Sequence, residues 1–510
     1  MKSLKNTKES RLNNVVKNTY TALISQVVVL ILGFISRGVL IRTLGNEYAG
    51  INGLFTNILA LISLAELGLG TSMIFTYYKP LSDKDYNKLS SLVNYYKKIY
   101  RIIVATIIGI GIIITPFIKW FIKLDNNIEN IYLIFILYVI NTATSYMFVF
   151  RTDIIVANQK RYIITNINFI TRIVRVVMQI VVLVKWKNFL AYLIIEVVMN
   201  VIANIICNEV AKKMYWYCKG NNCDLTKEEK RTILDSFKSS AIYKVAVVII
   251  NSTDNILISK IVGTIYVGLY SNYYMISSAL NNVLVLVNNS IVATVGNIIA
   301  SNDDRKKKKV MNVFILVFTW LGIYVTVMYY VFINDFVTLW IGKENVVNRP
   351  LLIVITLSLY ITFVYNSIAI YREAAGTFRE TKYVTVIEAI INIVVSIVLG
   401  KIYGIVGILA GTLIAKTCTR LWYEPYVIYK KIIKDKPYTF IKYNVISIFV
   451  TLFLIVICSI ICRIGGKITW LMLIFKMLIC TVVINGFMYV LVHPLEEYKY
   501  LESRLSKKKS

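Results

Sequence analysis

Long apolar stretches alternate with short polar segments along the whole chain of 510 residues. Each stretch has about 20 residues, which is enough for a helix to cross roughly 30 Å of hydrocarbon. Windows of about 19 residues therefore predict an all-α polytopic membrane protein with about 14 transmembrane helices. The predicted helices span residues 18–42, 50–76, 99–118, 131–153, 163–184, 189–211, 239–261, 267–299, 310–333, 351–372, 384–400, 404–429, 443–462 and 469–492. The long, asparagine-rich stretch 267–299 allows either one tilted helix or a helix broken by a polar turn.

Lysine and arginine are concentrated in alternate loops, and this bias predicts the topology. Cytoplasmic loops of membrane proteins are rich in these residues, so both termini are predicted to be cytoplasmic. The start MKSLKNTKESRLNN lacks the short apolar core and cleavage site of a signal peptide, so the first apolar stretch is predicted to be a retained helix. Much of the net charge of +30 is then attributed to topology and to contact with anionic lipids.

Composition excludes several classes of function. Hydrophobic residues make up 57% of the chain, whereas soluble domains have about 45–50%. His493 is the only histidine, and Cys218 and Cys223 have no second pair, so neither a metal site nor another cofactor is expected. The basic runs 305–309 and 506–510 are short and lie next to predicted helices, so no nucleic-acid partner is expected. The short predicted outer loops carry no acidic cluster, which disfavours a membrane glycosyltransferase, and the protein is predicted not to be an enzyme.

Part of the sequence recurs at a spacing of 218 residues. The segment IRTLGNEYAG at 41–50 aligns with SKIVGTIYVG at 259–268. A second match, at a spacing of 221, aligns Phe150-Arg151 with Tyr371-Arg372. Both matches fall at equivalent places among the predicted helices, so helices 1–6 and 7–12 are predicted to be two parallel six-helix repeats.

The repeat predicts three parts of the chain. An N-lobe with helices 1–6 and a cytoplasmic linker is predicted over residues 1–238, and a C-lobe with helices 7–12 over 239–436. Helices 13 and 14 lie outside the repeat and, with the basic cytoplasmic tail, occupy 437–510.

Two motifs carry a resemblance to a known family. They are R-x-L-G-x-x-Y-x-G-x-x-G-L-F from Arg42 to Phe55 and AELGLG from Ala65 to Gly70. With the basic start, they resemble the multidrug/oligosaccharidyl-lipid/polysaccharide exporter superfamily, and within it the Wzx-type flippases of polysaccharide repeat units. This resemblance implies two lobes around a central cavity and outward movement of undecaprenyl-diphosphate-linked oligosaccharides for capsule, O-antigen or other cell-surface polysaccharide. It also implies the bacterial cytoplasmic membrane, with a polysaccharide polymerase and glycosyltransferases as partners.

Two related transport functions remain open as alternatives. Lipid II flippases resemble this chain around Glu66, but they tend to carry basic residues where this chain has Leu61 and Ile62. Multidrug antiporters commonly have an acidic residue in the first helix, where this chain has Arg37 instead. Export of a drug or metabolite and flipping of lipid II are therefore the alternatives to the polysaccharide flippase.

Several predicted helices carry a polar stripe at helical spacing. Charged side chains on such stripes are costly in lipid, so the stripes are expected to face inward, to water. An excess of arginine suits the diphosphate that the resemblance implies, because guanidinium donates a bidentate fork to phosphate oxygens. The predicted substrate-binding residues are Arg37, Glu66, Arg172, Arg175, Lys244 and Asp254. For Arg37 the alternative is snorkelling to the interface, and for Glu66 it is ion pairing alone.

Four further basic residues are predicted to have gating or structural roles. They lie at helix ends and occupy matching places in the repeat: Arg151 and Arg372, and Arg42 and Lys260. Three charged residues in later helices, Glu196, Glu388 and Lys416, are expected to be buried, paired contacts between helices. A coupling proton or Na⁺ is compatible with Glu66 or Asp254, but the sequence specifies neither ion.

The predicted topology can be tested by labelling single cysteines from outside intact cells, in a parent without the seven native cysteines. We expect labelling of cysteines placed near Asn126 and Asn345, and protection of cysteines placed near Asn221 and Asp303. Labelling of Asp303→Cys from outside would overturn both the orientation and the parallel repeat.

Overall fold

The structure is a computed structural model that describes residues 2–66, 69–123, 128–216, 225–301, 303–463 and 468–506. Within these ranges all regular secondary structure is helical, which confirms the predicted all-α polytopic fold class. Cys218, Cys223 and the labelling positions Asn126 and Asn221 lie outside the described residues.

The first half of the chain forms ten helices. They are α1 (Lys2–Leu44), α2 (Asn46–Ile62), α3 (Leu69–Asp83), α4 (Tyr86–Ile114), α5 (Ile118–Phe121), α6 (Ile131–Ser145), α7 (Val149–Ala157), α8 (Arg161–Trp186), α9 (Phe189–Met214) and α10 (Lys227–Leu257). Short 3₁₀ turns cover Ser63–Glu66 and Thr115–Phe117, and a π-helical turn, Ile258–Val262, follows α10.

Eight further helices complete the chain. They are α11 (Thr264–Ala300), α12 (Asp304–Ile341), α13 (Arg349–Ala375), α14 (Phe378–Cys418), α15 (Arg420–Ile428), α16 (Tyr438–Arg463), α17 (Trp470–Val492) and α18 (Glu496–Ser506). The asparagine-rich stretch near 267–299 is one unbroken helix, α11. A 3₁₀ turn covers Lys343–Asn345, and a π-helical turn covers Tyr429–Ile433.

Eleven helical stretches in the described part of the chain are long and apolar enough to cross a membrane. The number is twelve if α6 and α7, which meet at a bend of 43°, form one span. The predicted count of fourteen differs for two physical reasons. The second predicted helix is divided between α2, which ends at Ile62, and α3, which begins at Leu69. The helical run from Glu380 to Ile433 is continuous in secondary structure although its path reverses. The count of fourteen stays a prediction.

The reversal within α14 is a hairpin at Gly404. Its φ of 61° and ψ of −138° lie in a region that glycine adopts without steric cost. The two arms are joined by polar contacts across the turn. Ser396 Oγ donates to the carbonyl of Ile408 at 2.9 Å, and Asn392 Nδ2 donates to Thr412 Oγ1 at 2.7 Å. The separate predictions of helices 384–400 and 404–429 therefore correspond to two antiparallel arms.

The start of α10 is specified by its local sequence. Thr226 Oγ1 accepts from the backbone N–H of Glu229 at 3.3 Å, and the Glu229 carboxylate accepts from the backbone N–H of Thr226 at 3.0 Å. This reciprocal capping box satisfies two donors at the helix N-terminus. Lys88 of α4 also donates to Glu229, and this contact lowers the pKa of the carboxyl. The start of α10 is thus attached to α4.

The chain separates into two compact units, residues 1–268 and 269–510. The first unit includes α10 because that helix packs against α2 and α3. In the second unit α12 is the central helix, with α13, α16 and α17 packed around it. Trp320 Nε1 donates to Asn485 Oδ1 at 3.0 Å, so polar contacts join α12 to α17, which lies outside the repeat. The domain boundaries predicted at 238 and 436 stay predictions.

Within the first unit, the starts of α2 and α11 are in backbone contact. A Cβ at Gly50 would lie 2.0 Å from the carbonyl oxygen of Thr264, and a Cβ at Gly268 would lie 2.2 Å from that of Asn46. Both glycine–carbonyl pairs are related by the repeat spacing of 218. We call this contact the glycine crossing. It is reciprocal because Gly50 of α2 lies against the first residue of α11, and Gly268 of α11 lies against the first residue of α2.

A Gly50→Ala substitution should destabilise the protein by about 1–3 kcal/mol, because the new methyl group meets a backbone carbonyl that cannot rotate away. The matched control is Gly109→Ala in α4, where an added Cβ meets nothing within 4 Å. Thermal unfolding of the purified chain in detergent compares the two. Equal melting temperatures for both variants would contradict the glycine crossing.

Candidate functional site

Arg37 lies two turns before the end of α1 and is directed at the glycine crossing. Its Nη1 donates to the carbonyl of Ala49 and its Nη2 to that of Gly268, both at 3.3 Å. The side chain is half-buried. The guanidinium is thus engaged with backbone oxygens at the starts of α2 and α11.

Arg172 and Arg175 lie one turn apart on α8. Arg172 is exposed, whereas Arg175 is half-buried and its Nη1 lies 3.6 Å from Glu196 Oε1 on α9. Glu196 is therefore paired between helices, as expected, but it is half-buried and not fully buried. That distance gives ion pairing without a good hydrogen bond, since N–H···O bonds have donor–acceptor distances of about 2.7–3.2 Å. The buried Nε of Arg175 has no hydrogen-bond partner within the described residues.

The three predicted arginines belong to one electrostatic neighbourhood. Tyr192 of α9 lies within electrostatic reach of Arg37, Arg175 and Glu196, and Arg172 in turn interacts with Arg175, Glu196 and Tyr192. We call these five residues the arginine cluster. Three guanidinium groups face a single carboxylate, so the cluster has an excess of positive charge and is suited to an anion.

Glu66 belongs to a second group of polar side chains in the first unit. Glu66 Oε1, Asp153 Oδ2 and Tyr100 Oη lie 3.5, 3.7 and 3.9 Å from the point that a Cβ on Gly70 would occupy. Asp153 and Tyr100 are 9% and 1% exposed, and those two oxygen atoms have no hydrogen-bond partner in the described part of the chain. Lys244 of α10 interacts electrostatically with Glu66. The structure thus brings Glu66 and Lys244 together, separately from the arginine cluster.

Asp153 was missed as a candidate, although one signal for it is present in the sequence. It is an acidic residue at the end of a predicted span, and ionisable residues in such segments are functional candidates by default. Asp254, which was a candidate, is buried on α10 at 8% exposure. Among the described residues no group of three or more His, Cys, Asp or Glu side chains is arranged to hold a metal ion.

Two of the four predicted gating or structural residues make equivalent contacts in the two units. Arg151 of α7 donates to Asn208 Oδ1 on α9 at 2.8 Å. Arg372 of α13 donates to Glu424 Oε1 on α15 at 3.0 Å. In each predicted repeat an arginine of the fourth predicted helix therefore contacts the sixth predicted helix. The acceptor is a neutral amide in the first unit and a carboxylate in the second.

The other two gating or structural candidates lie at helix ends in the first unit. Lys260 Nζ donates to the carbonyl of Trp120 at 2.6 Å and lies 4.0 Å from the centre of the Trp120 ring. Arg42 is exposed at the end of α1. Lys260 therefore joins the end of α10 to the connection that follows α4.

A buried ion network in the second unit extends the Arg372 contact. Glu424 is fully buried, and Arg420 Nε lies 3.7 Å from it. Arg420 also pairs with the buried Glu388 at 2.9 Å, and Tyr365 donates to Glu424. Glu388 was expected to be a paired helix contact, but Arg420 and Glu424 were not identified. Arg420 and Glu424 both lie on α15, and which face of α15 is buried depends on the packing of the Gly404 hairpin, which the sequence does not specify.

Comparisons with known proteins agree with this architecture. The family described as "Polysaccharide biosynthesis protein" matches residues 15–296, more than half of the chain, and the family described as "MatE" matches 240–398. No protein of curated function matches the sequence.

Solved structures show the same fold at low sequence identity. A lipid II flippase, MurJ, in an inward closed conformation has a TM-score of 0.64 and 16% identity, over 92% of this chain and 98% of that one. An inward-facing multidrug resistance MATE transporter has a TM-score of 0.59 and 13% identity, over 81% and 98%. A mutant of the Vibrio cholerae MATE transporter VcmN has a TM-score of 0.54 and 12% identity, over 85% and 100%. The predicted superfamily resemblance is confirmed.

The buried pair of the second unit generates a stability prediction. Arg372→Ala should destabilise the protein by about 3–5 kcal/mol, because it leaves the fully buried Glu424 without its closest cation. The repeat-equivalent Arg151→Ala should cost less, about 1–3 kcal/mol, because its partner Asn208 is neutral. Thermal unfolding in detergent measures both. If the Arg151 variant were the less stable of the two, the structural role assigned to the Arg372 pair would be wrong.

Proposed function

We propose that this chain, which belongs to the polysaccharide biosynthesis protein family, is a flippase for undecaprenyl-diphosphate-linked oligosaccharide repeat units. It moves them from the cytoplasmic to the outer leaflet by alternating access, for capsule, O-antigen or other cell-surface polysaccharide. The family match and the fold shared with a lipid II flippase support a membrane transporter. The arginine cluster is the observation that favours a substrate carrying phosphate.

The chemistry of the arginine cluster suits a diphosphate group. The buried Nε of Arg175 lacks a partner within the described residues, and its contact with Glu196 is longer than a hydrogen bond. A buried donor without a partner costs about 1–3 kcal/mol, and a phosphate oxygen would remove this cost. Exposed Arg172, one turn away, supplies a second fork for the other phosphate. Glu196 then partners Arg175 whenever the site is empty.

The glycine crossing provides a closure for the alternating-access cycle. Its two glycines let the backbones of α2 and α11 touch, and Arg37 holds the same two helices through carbonyl contacts. Opening at the glycine crossing requires those contacts to separate, which removes the Arg37 guanidinium from both carbonyl oxygens. Arg37 would then serve as a latch in one state and as a phosphate donor in the other.

Drug or metabolite export and lipid II flipping remain the competing functions, because the fold is compatible with each. The three functions differ in the charge of the substrate. A cationic drug would be repelled by an excess of arginine, whereas lipid II shares the undecaprenyl diphosphate of the proposed substrate. Discrimination from lipid II therefore requires transport assays with defined sugars.

The double variant Arg172→Ala/Arg175→Ala should reduce flipping of a fluorescent undecaprenyl-diphosphate oligosaccharide in reconstituted vesicles by roughly 10-fold or more, because charge-assisted hydrogen bonds contribute about 1.5–3 kcal/mol each. The Lys/Lys double variant should recover part of the rate, since it keeps the charge and loses the fork. The matched control is Lys185→Ala/Lys187→Ala, two exposed lysines at the other end of the same helix.

Normal flipping by the alanine double variant would show that Arg172 and Arg175 do not bind the substrate. Two further substrates separate the competing functions in the same vesicles. Faster flipping of lipid II than of the oligosaccharide lipid would favour the lipid II alternative. Transport of a cationic dye that is unaffected by the arginine substitutions would favour drug export.

A further inference from the structure

A basic cavity lies on the first unit, outside the arginine cluster, and Tyr100 is the one residue that it shares with the group around Glu66. It has a volume of about 440 Å³ and is formed by α4, by the bend between α6 and α7, and by α9. Its charged lining consists of four cations and one anion: Lys97, Arg101, Arg151, Lys212 and Glu209. We propose that this cavity, which we call the basic pocket, binds the phosphate headgroup of an anionic phospholipid.

The four cations form one positive centre. Lys97 lies within electrostatic reach of Arg101, Arg151 and Lys212, which are the other three cations that line the pocket. The single anion, Glu209, is paired with Lys212. Four positive charges against one negative charge leave a surplus, which the singly or doubly charged headgroup of an anionic lipid would offset.

Two of the cations, Lys97 and Arg101, are available to a ligand. Arg151, by contrast, is engaged with Asn208 and lies over the Phe150 ring, so it forms the wall of the basic pocket. Lys97 and Arg101 have no acidic partner within the described ranges, and they lie one turn apart on the same face of α4. Like charges at this spacing repel each other, so without a ligand the arrangement is unfavourable. A phosphate group bridging the two side chains would remove the repulsion.

The surroundings of the basic pocket indicate a lipid source for the phosphate. Apolar side chains line the rest of the cavity, including Val104, Met147 and Ile205. Met147 and Ile205 are 52% and 46% exposed, and Ile102 nearby is 66% exposed, as expected of residues that face acyl chains. Basic pockets between transmembrane helices on the cytoplasmic side of a membrane bind anionic headgroups, and the predicted topology places these helix ends on that side.

The proposal does not depend on what the protein transports. It can be tested on the full chain in nanodiscs of neutral phosphatidylcholine with or without phosphatidylglycerol, by native mass spectrometry of retained lipid and by thermal unfolding. Lys97→Gln/Arg101→Gln should weaken phosphatidylglycerol binding roughly 10-fold or more and abolish the rise in melting temperature that the lipid gives the unsubstituted chain. The matched control is Lys430→Gln/Lys436→Gln, which removes two exposed cations from a loop predicted to lie on the same side.

A conservative variant and two competing ligands make the test decisive. Lys97→Arg/Arg101→Lys keeps both charges and should retain the lipid, which separates charge recognition from a folding defect. Equal phosphatidylglycerol binding by the glutamine variant and the control would overturn the proposal. It would also fail if glycerol phosphate protected the protein as well as the lipid does, which indicates a small-anion site, or if undecaprenyl diphosphate displaced phosphatidylglycerol from the pocket, which assigns the pocket to the substrate.

Discussion

Charged side chains on helices that cross hydrocarbon must be met by polar groups on neighbouring helices, because lipid offers them no partner. Arg151 meets Asn208, Arg372 meets Glu424, and Arg175 lies across from Glu196. Each of these contacts joins two different helices, so each one fixes which helix faces are in contact. Apolar packing alone gives little directional preference in lipid, since lipid tails are as apolar as the side chains.

The two repeats use the same contacts with different charge. The glycine crossing is nearly symmetric, because Gly50 and Gly268 occupy the same place in each copy. The arginine contacts are not symmetric, since Arg372 has a buried carboxylate as its partner where Arg151 has an amide. Positive charge is therefore neutralised inside the second unit and is left in excess inside the first. The arginine cluster and the basic pocket both lie in the first unit.

Features that depend on local sequence were predictable. Length and hydropathy predicted the helical stretches, and the gap between the predicted helices 384–400 and 404–429 falls beside the hairpin at Gly404. The periodicity of polar residues also indicated Arg37, Arg172 and Arg175 as candidates, and the structure places them in one neighbourhood. Partners across the fold were not predictable. Asp153 lies beside Glu66 only because α7 packs on α3, and Arg420 meets Glu388 only because the chain reverses at Gly404. Periodicity places a residue on a face of its own helix, but it carries no information about which other helix that face contacts.

Buried polar atoms without partners show where this structure departs from maximal stability. Arg175 Nε, Asp153 Oδ2 and Tyr100 Oη lack hydrogen-bond partners within the described residues, at a cost of about 1–3 kcal/mol each. These three lie in the first unit, close to the residues proposed for the transport cycle, and other buried atoms without partners among the described residues, such as Thr326 Oγ1 and Asn392 Oδ1, lie in the second unit. A flippase must bind and then release a charged headgroup, and groups that were fully satisfied by the protein would have to break internal bonds before they could bind it. Incomplete pairing beside the arginine cluster therefore lowers the cost of ligand exchange there.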